Sequence, residues 1–200
     1  ELVAVALDVL HRVAHLHLLT LGADEGSAKV VDLFEGTPYE LSRAEPDANA
    51  FDISPDGQRI VFAFDPAPQK RMDGRYALAE IEIKTRRITV IARDAEWDFS
   101  SPRYSPDGQR IAFLASHQAK KHTMPSQLAL WSCTGKSRQG EWRVLSAQWD
   151  HEVNAPLRWA DDGASLLFTA EEEGRQHLWR WTLSSATAEV VAHVRGRLGV

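Results

Sequence analysis

A short string is repeated in one frame along this chain. Phe51-Asp-Ile-Ser-Pro-Asp-Gly-Gln-Arg-Ile-Val-Phe62 returns as Arg103-Tyr-Ser-Pro-Asp-Gly-Gln-Arg-Ile-Ala-Phe113, then in worn form as Arg158-Trp-Ala-Asp-Asp-Gly-Ala-Ser-Leu-Leu-Phe168. The repeated glycines stand at 57, 108 and 163, 51 and 55 residues apart. Each copy reads as strand, tight turn, strand. Proline presets φ for the first central turn position, aspartate can accept from turn amides, and glycine supplies the positive φ that other residues resist. A period of about 40–50 residues holding several short apolar runs is the signature of a β-propeller blade. Such a unit has no closed core of its own and must be covered by a neighbour.

The rest of each copy supplies the further strands of an antiparallel meander. In the first copy these are Ile60–Phe64, Tyr76–Ile83 and Ile88–Ile91, with a Lys84–Arg87 turn. In the second, Arg110–Ala115 and Gln127–Trp131 are followed, after a polar turn at 135–140, by Glu141–Leu145. In the third, Leu166–Thr169, His177–Leu183 and Ala188–Val194 follow in order, with a turn at Glu171–Gly174. Upstream, His15–Leu21 and Lys29–Phe34 read as the two closing strands of an earlier blade. The expected fold is therefore all-β. It is a partial propeller with about three complete four-stranded antiparallel blades (48–98, 99–153 and 154–200) and a partial blade at 1–47. Propellers usually close with 4–8 blades, so the chain reads as a piece of a longer protein.

Bulk properties narrow the function classes. With 44% hydrophobic and 26% charged residues, the 200-residue chain has the composition of a globular protein. Its net charge of −5 argues against nucleic acid as a partner, because phosphate binding needs a basic face. No apolar run approaches the ~20 residues that span a bilayer, so no membrane partner is expected. Leu2–Leu7 is short and lacks a basic leader, so it is not read as a signal peptide. The compartment is left open. One cysteine, Cys133, excludes an internal disulfide framework, and its alternating strand context reads as a packed thiol. The seven tryptophans, at 97, 131, 142, 149, 159, 179 and 181, read as filling between stacked sheets.

With the residues laid out this way, the repeat resembles the N-terminal propeller of the prolyl oligopeptidase family of serine peptidases, especially its bacterial acylaminoacyl-peptidase and dipeptidyl-aminopeptidase-like branch. The matching strings are Ser54-Pro-Asp-Gly-Gln-Arg-Ile-Val-Phe62 and Ser105-Pro-Asp-Gly-Gln-Arg-Ile-Ala-Phe113. Phe168-Thr-Ala-Glu-Glu-Glu-Gly-Arg-Gln-His-Leu-Trp179 matches a Glu-Gly-Arg hairpin of the same branch. TolB-type propellers share the Ser-Pro-Asp-Gly repeat and are the weaker match. The Trp-Asp pairs at 97–98 and 149–150 are not read as WD repeats, because they precede the strand entering the turn and no Gly-His occurs. The resemblance implies a non-catalytic propeller that gates an α/β-hydrolase domain and admits short peptides. The alternative is a TolB-like module binding a protein or peptide.

No residue is read as catalytic. The nucleophile elbow of such hydrolases is Gly-x-Ser-x-Gly, and the nearest string, Gly135-Lys-Ser137-Arg-Gln-Gly140, is one residue too long. It also falls where a hairpin turn is expected, and no βαβ alternation occurs. The chain is therefore expected to lack the catalytic domain and to be inactive alone. No metal or other cofactor is expected. His11, His15 and His17 would share one face of a continuous strand, but His11 would lie about 13 Å from His15, too far for one ion. His117 and His122, flanking Lys120 and Lys121, are expected in a solvated loop. Glu171, Glu172 and Glu173 invite comparison with the glutamates that hold a substrate's amino terminus in dipeptidyl peptidases, but read as a solvated turn. The loop from Pro66 to Gly74, with Lys70, Arg71 and Asp73, reads as a polar connector. Residues that would touch a substrate are not identified. The expected partners are a peptide, through the missing hydrolase domain, and a second copy of the chain.

Overall fold

The computed structural model of the chain describes residues 3–7, 14–21, 28–41, 48–67, 75–119, 124–134 and 139–193. Within them the chain forms fifteen strands and no helix. The first sheet has three strands in sequence order: β1 (Val3–Leu7), β2 (Leu16–Leu21) and β3 (Ala28–Asp32). Three four-stranded sheets follow, each a simple antiparallel meander. They comprise β4 (Phe51–Ile53), β5 (Arg59–Phe64), β6 (Ala77–Glu82) and β7 (Ile88–Ala92), then β8 (Trp97–Tyr104), β9 (Arg110–His117), β10 (Gln127–Thr134) and β11 (Gln139–Val144). The last holds β12 (Asn154–Trp159), β13 (Ser165–Glu172), β14 (Arg175–Thr182) and β15 (Thr187–His193). This is the expected partial propeller. The partial first unit has one strand more than the two read from sequence, because Val3–Leu7 pairs with β2 from Val3 opposite Thr20 to Leu7 opposite Leu16.

The side-chain alternation of each strand sorts its residues between two neighbours. In β5, Ile60, Phe62 and Phe64 pack with Leu16, Leu33, Phe34 and Leu41 of the first unit. Val61 and Ala63 face the other way, against Phe99, Tyr104 and Phe113 of the third sheet. β9 repeats the division: Ile111, Phe113 and Ala115 join that second cluster, while Ala112 and Leu114 meet Leu157, Leu166, Phe168 and Trp179 of the last sheet. Three separate apolar layers result, one per seam. Tryptophans fill two of them, Trp97, Trp131 and Trp142 in one and Trp149, Trp159, Trp179 and Trp181 in the other. Each fully buried large side chain stabilises its seam by about 1.5–3 kcal/mol. The outward face of the last sheet is mixed, with Leu167 and Leu178 alternating with Thr169 and Arg180, all four partly exposed.

The repeated turns form as the residues require. Gly57, Gly108 and Gly163 have φ of 66°, 67° and 64°. In each, the glycine amide donates to the carbonyl three residues back at 2.8 Å, and Asp56, Asp107 and Asp162 accept from the amides of Gln58, Gln109 and Ala164. Ser54 and Ser105 add a hydroxyl that donates to the aspartate and accepts from the amide of Arg59 or Arg110. Ala160 has no such group, which is the physical content of the worn third copy.

Some local expectations are corrected. His117 is not in a solvated loop: β9 runs on to it, and it is buried with its ring 4.8 Å from that of Trp97. Trp97 and Asp98 do not precede the strand but open it, opposite His117 and Ser116. Gln139 and Gly140 belong to β11 rather than to the turn. Gly140 lies so close to Trp131 that a Cβ would stand 2.5 Å from the indole, so only glycine lets β11 cross there.

Candidate binding site on the inner strands

The first strand of each blade is an edge strand, and in a propeller that edge borders the central channel. Its free amides and carbonyls need partners, and here the neighbouring blades supply several of them. β4 touches β8, and β8 touches β12. The residue two positions before the Ser-Pro-Asp-Gly serine, or its Ala160 counterpart, is Asp52, Arg103 and Arg158 in the three copies. Three charged side chains thus recur at one register on three adjacent inner strands.

Two of them act as staples. The Asp52 carboxylate accepts from the Tyr104 amide at 2.8 Å. Burial pushes its pKa up, and the Tyr104 amide and the nearby Arg103 and Arg158 charges oppose that rise. Arg103 reaches back to the preceding blade, donating to Asn49 Oδ1 at 2.6 Å and to the Phe51 carbonyl of β4 at 3.2 Å, and also bonds the carbonyl of its own neighbour Pro102 at 2.7 Å. The carbonyl of Arg103 itself accepts from Trp159 Nε1 at 3.0 Å. Beneath this layer Tyr104 Oη donates to the buried Glu80 at 2.6 Å. At the turn end, the Arg110 guanidinium lies 5.0 Å from the Trp159 ring centroid and donates to the Gly163 carbonyl at 2.9 Å. Arg158 is exposed, and among the described residues it makes no hydrogen bond or ion pair.

At the far end of the seam between the second and third sheets, Asp98 accepts from the Tyr76 amide at 2.5 Å, and the Phe99 amide donates back to the Tyr76 carbonyl at 3.1 Å. Arg75 Nη1 donates to the Ala95 carbonyl. Burial, reinforced by the Asp65 charge, pushes Asp98 up to about 6 against the opposing effect of the Tyr76 and Phe99 amides and Arg75.

The residues singled out in the sequence are placed as follows. Cys133 is partly buried and packed at the second seam. Ser137, His11, His122, Lys70, Arg71 and Asp73 lie outside the described residues. His15 pairs with Asp32 at 2.8 Å, a contact that with the Phe34 amide holds the Asp32 pKa down despite burial. His17 lies on β2 opposite Asp32. Among the described residues no group of three or more His, Cys, Asp or Glu could hold a metal ion, and no helix is long and apolar enough to cross a membrane. Glu171 and Glu172 lie in β13, opposite Gln176 and Arg175, rather than in the turn; only Glu173 and Gly174, with φ of 51° and 72°, form the tight turn between β13 and β14. Asp52, Arg103 and Arg158 were not singled out from sequence. Their signal was the repeat alignment itself, where one column is charged in every copy.

No family model matches the chain. It is 26% identical over 162 residues to dipeptidyl-peptidase 5 of Porphyromonas gingivalis, and 27% identical over 157 residues to dipeptidyl-peptidase 5 of Schizosaccharomyces pombe. These alignments cover 77% and 76% of the chain but 22% of each relative, so the chain spans about a fifth of their length. The fungal relative removes any restriction of the likeness to bacteria. Among solved structures, a puromycin hydrolase mutant superposes with a TM-score of 0.63 at 20% identity, over 90% of this chain and 27% of that one. TolB from Acinetobacter baumannii gives 0.62 at 14% identity, over 96% and 41%. The chain is similar to the propeller portion of prolyl oligopeptidase family peptidases, and it shares its fold with the TolB-type propellers.

Proposed function

We propose that this chain is the propeller portion of a serine peptidase acting on short peptides, and that its role is to gate access to a hydrolase domain elsewhere in the parent protein. The observation that carries this reading is the sequence likeness to about a fifth of two dipeptidyl peptidases, in a chain whose blades are joined at the inner strands by Asp52 and Arg103. A ring of stiff sheets around a narrow channel selects substrates by size and needs no chemistry of its own. The second reading, a TolB-like module that binds a protein or peptide with no hydrolase partner, draws on the superposition over 96% of the chain. The parent reading frame separates the two. A Gly-x-Ser-x-Gly elbow downstream, together with cleavage of short peptides and sparing of folded proteins by the full-length product, is the expected result. A full-length product without peptidase activity refutes the first reading.

A further inference from the structure

We infer that Arg158 is a carboxylate-binding residue on the inner surface of the propeller, and that its ligand is the carboxylate of a short peptide. This rests on the reading above only in that peptides reach the inner strands.

The inference comes from comparing the three copies at one register. Asp52 staples forward by accepting from the Tyr104 amide. Arg158 cannot repeat that role, because a guanidinium has donors and no acceptor. Arg103 staples backward, onto Asn49 and the Phe51 carbonyl of β4. Arg158 does not repeat this either, and among the described residues it makes no such bond. The corresponding carbonyls on β8 are already engaged, that of Arg103 by Trp159 Nε1 and that of Pro102 by Arg103 itself. The counterpart of Asn49, one 51-residue period later, is Ser100, whose side chain is shorter. There β8 also breaks register between Ser100 and Arg103, with Ser101 at φ 53°. The third charge of the series is therefore left exposed beside an inner edge.

Its surroundings suit an anion. Arg103 and Arg158 outnumber Asp52, whose carboxylate is turned into a backbone bond. The strand carrying Arg158 is held rigidly, with Leu157 on one side fully buried and Trp159 on the other pinned to the Arg103 carbonyl and stacked under Arg110. The backbone at Arg158 is therefore fixed while its guanidinium reaches solvent, and a guanidinium fork presents two parallel donors that match a carboxylate, where a lysine would offer only a point charge.

The test is a titration of the whole chain, followed by NMR, with acetyl-Gly-Ala-Gly as the free acid, the same tripeptide as its C-terminal amide, and acetyl-Gly-Asp-Gly amide. The free acid should bind at least about 5-fold more tightly than the amide. The Arg158→Gln chain should bind the acid and the amide alike, and Arg158→Lys should recover only part of the difference. Because Arg158 is exposed, both variants should unfold at the wild-type temperature, which separates lost binding from lost fold. Binding of the aspartyl amide as tightly as the free acid assigns the site to carboxylates in general. Binding of the free acid alone assigns it to chain ends. Equal binding of acid and amide by the wild-type chain, no detectable binding of any of the three, or an unchanged preference in Arg158→Gln overturns the inference. None of these outcomes depends on whether the parent is a peptidase.

Discussion

Replacing Asp98 with asparagine should make the chain more stable at neutral pH. The carboxylate sits at the seam where β8 begins, receives one short bond from the Tyr76 amide, and is raised from 3.8 to about 6, mainly by burial. A raised folded-state value means that the native protein holds a proton which the unfolded chain releases between about pH 4 and 6. Stability from this group is therefore full below pH 4 and falls as pH rises through 6. At about 1.36 kcal/mol for each tenfold change in proton affinity, the rise from 3.8 to about 6 sets an upper scale of about 3 kcal/mol. Asparagine keeps an oxygen to accept from Tyr76 and carries no charge, so it should recover about 1–3 kcal/mol at pH 7.5 and almost nothing at pH 4. Asp52 is raised too and stays in both proteins, whereas Asp32 and Asp107 are lowered and act at more acid pH. The quantity to read is thus the difference between variant and wild type in urea unfolding at each pH. With a urea slope of about 2–3 kcal/mol per molar, the midpoint should move up by about 0.3–1.5 M at pH 7.5. A variant that is less stable than wild type at pH 7.5, or a difference that does not change from pH 4 to 7.5, refutes the reasoning.

Other outcomes follow from the turns, the seams and the motifs. Gly108→Val should cost at least ~1 kcal/mol in thermal or urea unfolding, because a β-branched residue resists φ near 67°; the nearest atom to its Cβ, Pro55 Cδ at 3.5 Å, is an ordinary contact, so the cost is conformational. The purified chain should neither hydrolyse activated acyl substrates nor be labelled by a serine-directed phosphonate, and mass-spectrometric labelling at any serine would overturn that. We also propose that the chain self-associates. Leu167 and Leu178 on the outward face of the last sheet, worth ~3–6 kcal/mol together if buried, favour a two-fold dimer, and a strictly monomeric species in analytical ultracentrifugation across a wide concentration range refutes it.

The repeat made the architecture readable because the Pro-Asp-Gly turn is a local device: proline, aspartate and glycine dictate their own backbone wherever they occur. Strand ends were harder to read. His117 looks polar in sequence, yet its place is set by pairing with Trp97 on another strand and by the Trp97 ring packed on it. Gly140 looks like a turn residue, yet its role is to clear the Trp131 indole. Val3–Leu7 carries no turn signal after it, so nothing local marks it as a strand. The inner-strand column is hard to see because Asp52 and Arg103 have opposite charges and partners some fifty residues away. Only the folded seam shows that both do one job and that Arg158 does not.

The sorting of odd and even residues between neighbouring seams has a further consequence for how such a chain tolerates change. Val61 and Phe62 are adjacent in sequence but belong to different apolar layers, so truncating one should loosen only one joint. A stack coupled only between nearest neighbours behaves as a one-dimensional array, in which damage stays local and the ends open before the middle. Amide exchange should then be slowest in β5, β9 and β10, whose sheets are clasped on both sides, and faster in β14, which has a neighbour on one side only. The same separability lets one blade's turn carry Ala160 where the other two carry serine, while the apolar layers on either side keep their pattern.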